Sequence, residues 1–201
     1  MTENTVPGRR GRPRSARSRQ AVLDAAADIL MEGGMTSFTM EAVATRARVS
    51  KATLYKWWPS RSAVAIDGFF ARVQETVAIA ESLPTEQALL FQVNAVRELF
   101  AEDACGPLMR SLVGQAQSDP DIRDALRDRW LAPRREVTER ILREAIAAGR
   151  VRPDIDLPLT IDQLFAPLYY RMIFGHEPLT EDFCQRLVAQ VMAAVEVPAE
   201  G

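Results

Sequence analysis

Apolar residues recur at the i, i+3, i+4 spacing of a buried helix face along most of the chain. Val22, Ala25, Ala26, Ile29 and Leu30 define the first face, over Ser18 to Glu32, and Gly33-Gly34 ends it, glycine being the usual residue of a left-handed helix terminus. Phe38 is placed to pack this helix against the next. Met40, Val43, Ala44 and Ala47 mark a short second helix with Thr39 as its N-cap. Ala47-Arg48-Val49 makes the connection, and Ser50 caps a third helix, Lys51 to Trp57, in which Leu54 points inward and Lys51, Thr53, Tyr55 and Lys56 face out. A fourth helix, capped by Ser60, carries Ala65, Phe69, Val73 and Val77 and runs to about residue 82, where Pro84 stops it.

The rest of the chain continues in the same period. Thr85 opens a helix striped by Leu89, Val93, Val96 and Phe100, and Cys105-Gly106-Pro107 breaks it. A shorter helix with Leu108, Met109, Leu112 and Val113 follows. Asp119-Pro120 is a start signal, an acidic N-cap with proline in the first turn; the run it opens ends at Gly149 and should kink or divide near Leu131 because Pro133 lies inside it. Residues 151–157 read as a connector. The helix Pro158 to Phe174 is apolar over well more than half its circumference, and the last helix, capped by Thr180 with Glu181 and Asp182 in its first turn, carries Phe183, Leu187, Val188, Val191, Met192 and Val195. Two adjacent helices this apolar exceed the needs of one small core, which predicts a partner surface. The fold class is all-α, with a flexible basic arm over residues 1–16, a three-helix domain over 17–62 and a larger helical domain over 63–201.

Charge divides the chain as sharply as the helices do. From Arg9 to Arg61 eleven Lys/Arg face only Asp24, Asp28, Glu32 and Glu41, a net +7, whereas the remainder from Ser62 carries −8. A polyanionic partner for the N-terminal part alone follows. The arm is too rich in Arg, Gly and Pro to fold by itself, and its Arg10-Gly11-Arg12-Pro13 resembles the core of an AT-hook, so Arg10, Arg12 and Arg14 are candidates for a narrow minor groove. No window is long and apolar enough to span a membrane and no secretory signal precedes the first helix, so a cytoplasmic setting is expected. Cys105 and Cys184 are read as buried free thiols. His176, the single histidine, sits in a loop. Catalytic, metal and cofactor motifs are missing, and an enzyme reading has nothing to stand on.

Two helices joined by a three-residue turn let the second lie in the DNA major groove. The run Val49-Ser50-Lys51-Ala52-Thr53-Leu54-Tyr55-Lys56-Trp57-Trp58-Pro59-Ser60-Arg61 resembles the DNA-binding segment of the TetR (tetracycline-repressor-like) regulators, over roughly Arg17 to Phe70. Three positions depart from that pattern: Arg48 where a turn glycine is usual, Trp57 where His or Tyr is frequent, and Arg61 where Lys is usual. Arg48 prefers φ < 0, so an altered or mildly strained turn is expected.

The resemblance implies a dimeric repressor with a helix-turn-helix domain and a helical ligand-binding and dimerisation domain, released from a palindromic operator by a small molecule. It implies base contacts from Lys51 and Ala52 and backbone contacts from Thr39, Ser50, Thr53, Tyr55, Trp57 and Arg61, with Arg48 and Lys56 beside them. It implies a dimer interface on the last two helices, with Leu164, Leu168, Met172, Phe183, Leu187 and Val191 as candidates. It also implies a ligand pocket, for which Phe91, Phe100, Met109, Leu112, Trp130, Phe165 and Tyr169 are the candidate lining. Their apolar character points to an apolar or amphipathic effector, with Arg97 or Arg171 to meet an anionic head group. The rival reading, a helical protein–protein adaptor or small-molecule binder with an incidental basic tail, gives no reason for two capped helices presenting Lys, Thr and Tyr behind an arginine arm.

Overall fold

The computed structural model describes residues 12–73, 83–101 and 105–197, with side chains from residue 15 onward. The described elements are helices, apart from one isolated antiparallel bridge between Val151 and Glu196. They divide into two compact units, residues 1–72 and 73–201.

The first unit holds α1 (Arg12–Ser37), α2 (Met40–Arg46), α3 (Lys51–Trp57) and α4 (Arg61–Val73). The helix α1 starts inside the stretch expected to be a flexible arm. Proline is tolerated in a first helical turn, where its missing N–H would be unpaired anyway, so Pro13 does not prevent the chain from turning helical at Arg12. Arg10 and the rest of residues 1–11 lie outside the described residues. At the other end Gly34 takes a left-handed φ of 59° and kinks the chain where Gly33-Gly34 was expected to end the helix. Val22, Ala26, Leu30, Phe38, Val43, Leu54, Val64, Ala65 and Phe69 close the core.

The unit ends beyond the boundary expected at residue 62, because α4 packs on α1 at contact distance. A Cβ built on Gly68 would stand 2.6 Å from the Cβ of Ala26 and 3.1 Å from the backbone nitrogen of Ala27. The lone glycine of this helix is therefore a close approach and needs no role as a flexible point. The continuation of α4 through Val77 to residue 82 falls outside the described residues.

In the second unit α5 (Thr85–Ala101) is central, packing against α6 (Cys105–Ala116), α8 (Ala132–Ala147), α9 (Leu157–Phe174) and α10 (Glu181–Val195). Asp119 caps α7 (Pro120–Leu126), its carboxylate accepting from the Asp121 and Ile122 amides. Between α7 and α8 the helix widens into a π-turn over Arg127–Leu131, in which the amide of Ala132 donates to the carbonyl of Arg127. The interruption expected from Pro133 thus takes the form of one wide turn. Asp156 caps α9 through the Leu159 amide, and Thr180 caps α10 through the Phe183 amide.

The apolar surplus of α9 is distributed differently from expectation. Leu164, Leu168, Met172 and, on α10, Val191 are buried within the unit itself, and Phe183 and Leu187 are half-buried. The outward face is instead Leu159, Tyr170, Ile173 and Phe174, the last 69% exposed. A helix apolar over most of its circumference carries two candidate stripes, and the neighbours α5, α6, α8 and α10 claimed the one that includes Leu164.

Gly68→Ala should destabilise the first unit by about 1–3 kcal/mol, the cost of overpacking against a helix backbone. A urea denaturation midpoint that does not fall would contradict this close approach.

Candidate nucleic-acid interface and cavity

Seven residues do not make a stable helix in water, so α3 is held by its ends. Its N-terminus is capped by Ser50, whose Oγ accepts from the Thr53 amide at 3.1 Å and shares a 2.8 Å hydrogen bond with the Thr53 hydroxyl. Leu54 is fully buried beneath it. Immediately after it Trp58, 2% exposed, donates its indole N–H to Asp67 of α4 at 2.8 Å and lies under the Arg19 guanidinium, 5.6 Å from the ring centroid. Arg61 donates to the carbonyl of Met35, tying the start of α4 to the end of α1.

The helix α2 is set by Thr39, which accepts from the Ala42 amide at 3.0 Å, and by an Arg46–Glu32 pair that is bidentate, at 2.8 and 2.7 Å. The hydrogen bonds from Arg46 hold the Glu32 carboxyl below its ordinary range.

The turn between them closes as a Schellman motif. The Arg48 amide donates to Thr45 and the Val49 amide to Ala44, which requires a left-handed residue at position 48. Arg48 supplies it, with φ 55°, and is the only described non-glycine residue with positive φ. The strain expected from the missing glycine is present at that residue. What remains outward on α3 is Lys51, Ala52, Tyr55 (51% exposed) and Lys56, with Thr53 and Trp57 half-buried. Lys51 is paired with Glu41 of α2 at 3.1 Å, and both side chains are exposed.

The second unit contains a cavity of about 360 Å³ among α6, the π-turn, α8 and α9. Its apolar wall comes from Met109, Val113, Leu126, Trp130, Phe165 and Tyr169, and its charged residues are Arg134, Arg135 and Asp162. The Trp130 indole N–H donates to the Tyr169 hydroxyl, and Phe100 braces both rings from behind, at 6.4 and 5.1 Å between centroids. Burial pushes the Tyr169 phenol above its ordinary pKa, against the opposing effect of the Trp130 hydrogen bond. Arg134 lies across the Trp130 ring, 3.5 Å from its centroid, and donates to the Trp130 carbonyl at 3.0 Å. At the rim Arg135 donates to Asp162 and, at 3.4 Å, to the Pro158 carbonyl.

Residues 22–66 match the family described as Bacterial regulatory proteins, tetR family, and residues 80–191 match the Tetracyclin repressor-like, C-terminal domain. The chain is 30% identical to the HTH-type transcriptional regulator YdeS of Bacillus subtilis, over 95% of this chain and 96% of that one. The chain belongs to the TetR family of transcriptional regulators. It is also 29% identical to the DNA-binding transcriptional repressor TetR of Mycobacteroides abscessus, across 94% and 97% of the two chains. The crystal structure of the TetR family transcription regulator SCO0332 superposes with a TM-score of 0.74 at 36% identity, covering 89% of this chain and 98% of that one. A fold-level likeness extends to the transcriptional regulator FadR from Bacillus subtilis in complex with stearoyl-CoA, at a TM-score of 0.67, 17% identity, and coverage of 87% and 98%.

As a TetR-family regulator the chain binds DNA through its helix-turn-helix, and the family is one of regulators. No described helix is long and apolar enough to cross a membrane, and no described group of three potential ligands is placed to hold a metal.

Of the seven residues expected to line a pocket, Met109, Trp130, Phe165 and Tyr169 line the cavity. Phe100 forms a second layer behind them and Leu112 is fully buried core. Phe91 is 40% exposed, because the buried face of α5 runs through Leu89, Val93, Val96 and Phe100 and leaves position 91 on the opposite side. Neither arginine expected at the cavity reaches it. Arg97 bonds Asn94 and Glu98, while Arg171 bonds the Pro178 carbonyl and stacks on Phe183. Arg134 takes that place, and its signal in the sequence is its position one helical turn after Trp130.

Replacing Arg48 by glycine should stabilise the first unit by about 1 kcal/mol, since glycine pays no Cβ penalty at positive φ. Chemical denaturation of the two proteins checks this, and equal or lower stability of the glycine variant would show that the turn is unstrained.

Proposed function

We propose that this regulator is a dimeric repressor whose two α3 helices enter successive major grooves of a palindromic operator, and that a small-molecule effector in the second unit releases it. The observation that carries the reading is the outward face of α3, where Lys51, Ala52, Tyr55 and Lys56 are exposed on a helix fixed at both ends. Lys51 and Ala52 then read base edges, Ala52 through a thymine methyl. Thr39, Ser50, Thr53, Tyr55, Trp57 and Arg61 hold the phosphate backbone, with Arg48 and Lys56 adding positive charge and Arg10, Arg12 and Arg14 reaching an adjacent minor groove.

Dimerisation is assigned to the exposed α9 face of Leu159, Tyr170, Ile173 and Phe174, an apolar strip that a single chain leaves in water. A two-fold pairing places the half-sites about 34–36 Å apart. The cavity is assigned to the effector, a role supported by its largely apolar wall and few converging polar groups.

Fluorescence anisotropy with the DNA upstream of the regulator's own gene, against random competitor DNA, tests the reading. Wild-type protein should bind saturably with two or four chains per site, and its affinity should fall steeply with salt as counterions are released. The double variant Thr53→Ala, Tyr55→Phe should bind about tenfold or more weakly with an unchanged helical spectrum. Operator affinity equal to wild type would refute the α3 assignment.

For the dimer, Phe174→Glu should give a folded monomer by light scattering, with operator affinity lost alongside. A dimer that persists in that variant and in Tyr170→Glu would remove α9 from the interface.

A further inference from the structure

Arg134 is 8% exposed, yet no carboxylate pairs with it among the described residues. The single acidic residue of the cavity lining, Asp162, is engaged by Arg135 instead. A buried cation without a counter-charge is expensive, and charged groups in protein interiors are otherwise paired or ligand-bound. Burial, partly opposed by Tyr169, lowers its pKa to about 10, which still leaves it protonated at neutral pH. The lining therefore carries one net positive charge.

The geometry shows where that charge is directed. Arg134 offers five N–H groups, of which one, on Nη1, is donated to the Trp130 carbonyl. No buried nitrogen or oxygen of a described side chain lacks a partner, so the other guanidinium nitrogens are not sealed unpaired in the core, and Arg134 is among the residues that line the cavity. One face of the Trp130 ring holds the guanidinium plane in place. A second donor stands nearby. The Tyr169 oxygen accepts from Trp130, which leaves its own proton to donate, and burial keeps the phenol in its neutral, proton-bearing form.

We propose that the effector cavity recognises a small apolar monoanion, a carboxylate, with Arg134 and the Tyr169 hydroxyl meeting the charged end and Met109 and Phe165 the apolar body. The inference rests on the reading of this cavity as the effector site. A guanidinium fork matches a carboxylate in two parallel hydrogen bonds, while the one surplus charge has no counterpart for a second anionic group. The volume lies near the lower end of the roughly 300–1,000 Å³ range of ligand pockets, which favours a compact body. In the absence of the anion Arg134 is a cost to the fold that the ligand offsets.

The test is titration calorimetry of the full chain with octanoate against octanamide and 2-naphthoate against 2-naphthamide, pairs that differ in charge but hardly in shape. Each carboxylate should bind roughly 10- to 100-fold more tightly than its amide, the ratio expected for a charge-assisted contact made in a desolvated site. Arg134→Met should abolish that ratio while melting at or above the wild-type temperature, and Arg134→Lys should retain part of it. Amides binding as well as acids, an acid preference that survives in Arg134→Met, or no carboxylate binding at millimolar concentration would each overturn the proposal.

Addition of the same compounds to the protein–operator complex separates this inference from the reading beneath it. Acids that bind through Arg134 without releasing DNA leave the cavity chemistry standing and remove the effector role. Amides that release DNA independently of Arg134 leave the effector role standing and remove the anion.

Discussion

Pro133 has no amide hydrogen, and in a regular α-helix its ring would collide with the carbonyl of Arg129. The chain accommodates it without breaking, by widening one turn so that the Ala132 amide reaches back five residues to Arg127. Within this wide turn the Trp130 side chain is 1% exposed, in contact with Phe100 and Tyr169. Arg134 donates to the Trp130 carbonyl. The wide turn supplies Trp130 and Leu131 to the cavity lining, with Arg134 one helical turn further on. Wide turns of this type are found disproportionately at functional positions, and here the mechanical reason is visible.

The first unit solves a different problem, that of presenting a seven-residue helix rigidly. Almost none of the stability of α3 is its own. The Ser50 cap, the buried Leu54 and the Trp58–Asp67 hydrogen bond fix it from both ends and from beneath, and Arg61 carries the bracing on to α1. The turn before it is closed by backbone hydrogen bonds that demand a left-handed residue, and an arginine fills that position at a conformational cost. The arrangement leaves Ala52, Tyr55 and Lys56 exposed on the outer face of α3, with Lys51 beside them paired only to the exposed Glu41.

Much of this was legible in the sequence because helix ends are local. Thr39, Ser50, Ser60, Asp119 and Thr180 each bond an amide two or three residues ahead, so the residue type announces the element without knowledge of its neighbours. The helix-turn-helix is likewise contained in one continuous stretch. What could not be read depends on partners distant in sequence. In α9 the stripe through Leu164, Leu168 and Met172 and the stripe through Tyr170, Ile173 and Phe174 are both apolar, and the packing of α5, α6, α8 and α10 decides which turns inward. Periodicity marks arginines as outward by default, and the burial of Arg134 depends on the Trp130 ring and the cavity wall around it. Phe91 was the opposite case, since its offset from the α5 stripe was present in the sequence.

The central position of α5 has a consequence for how the chain is made. Its partners include α10, and its first residue, Thr85, is bonded by Arg150, 65 positions away. The Arg152 amide donates to Val195 and the Val197 amide to Arg150, so the connector before α9 is fastened to the far end of α10. Such long-range closure is entropically late. The contacts that brace the DNA-reading unit lie within residues 1–72, and the Arg61 bond to Met35 spans 26 positions. The second unit cannot close its centre until the last helix has been released.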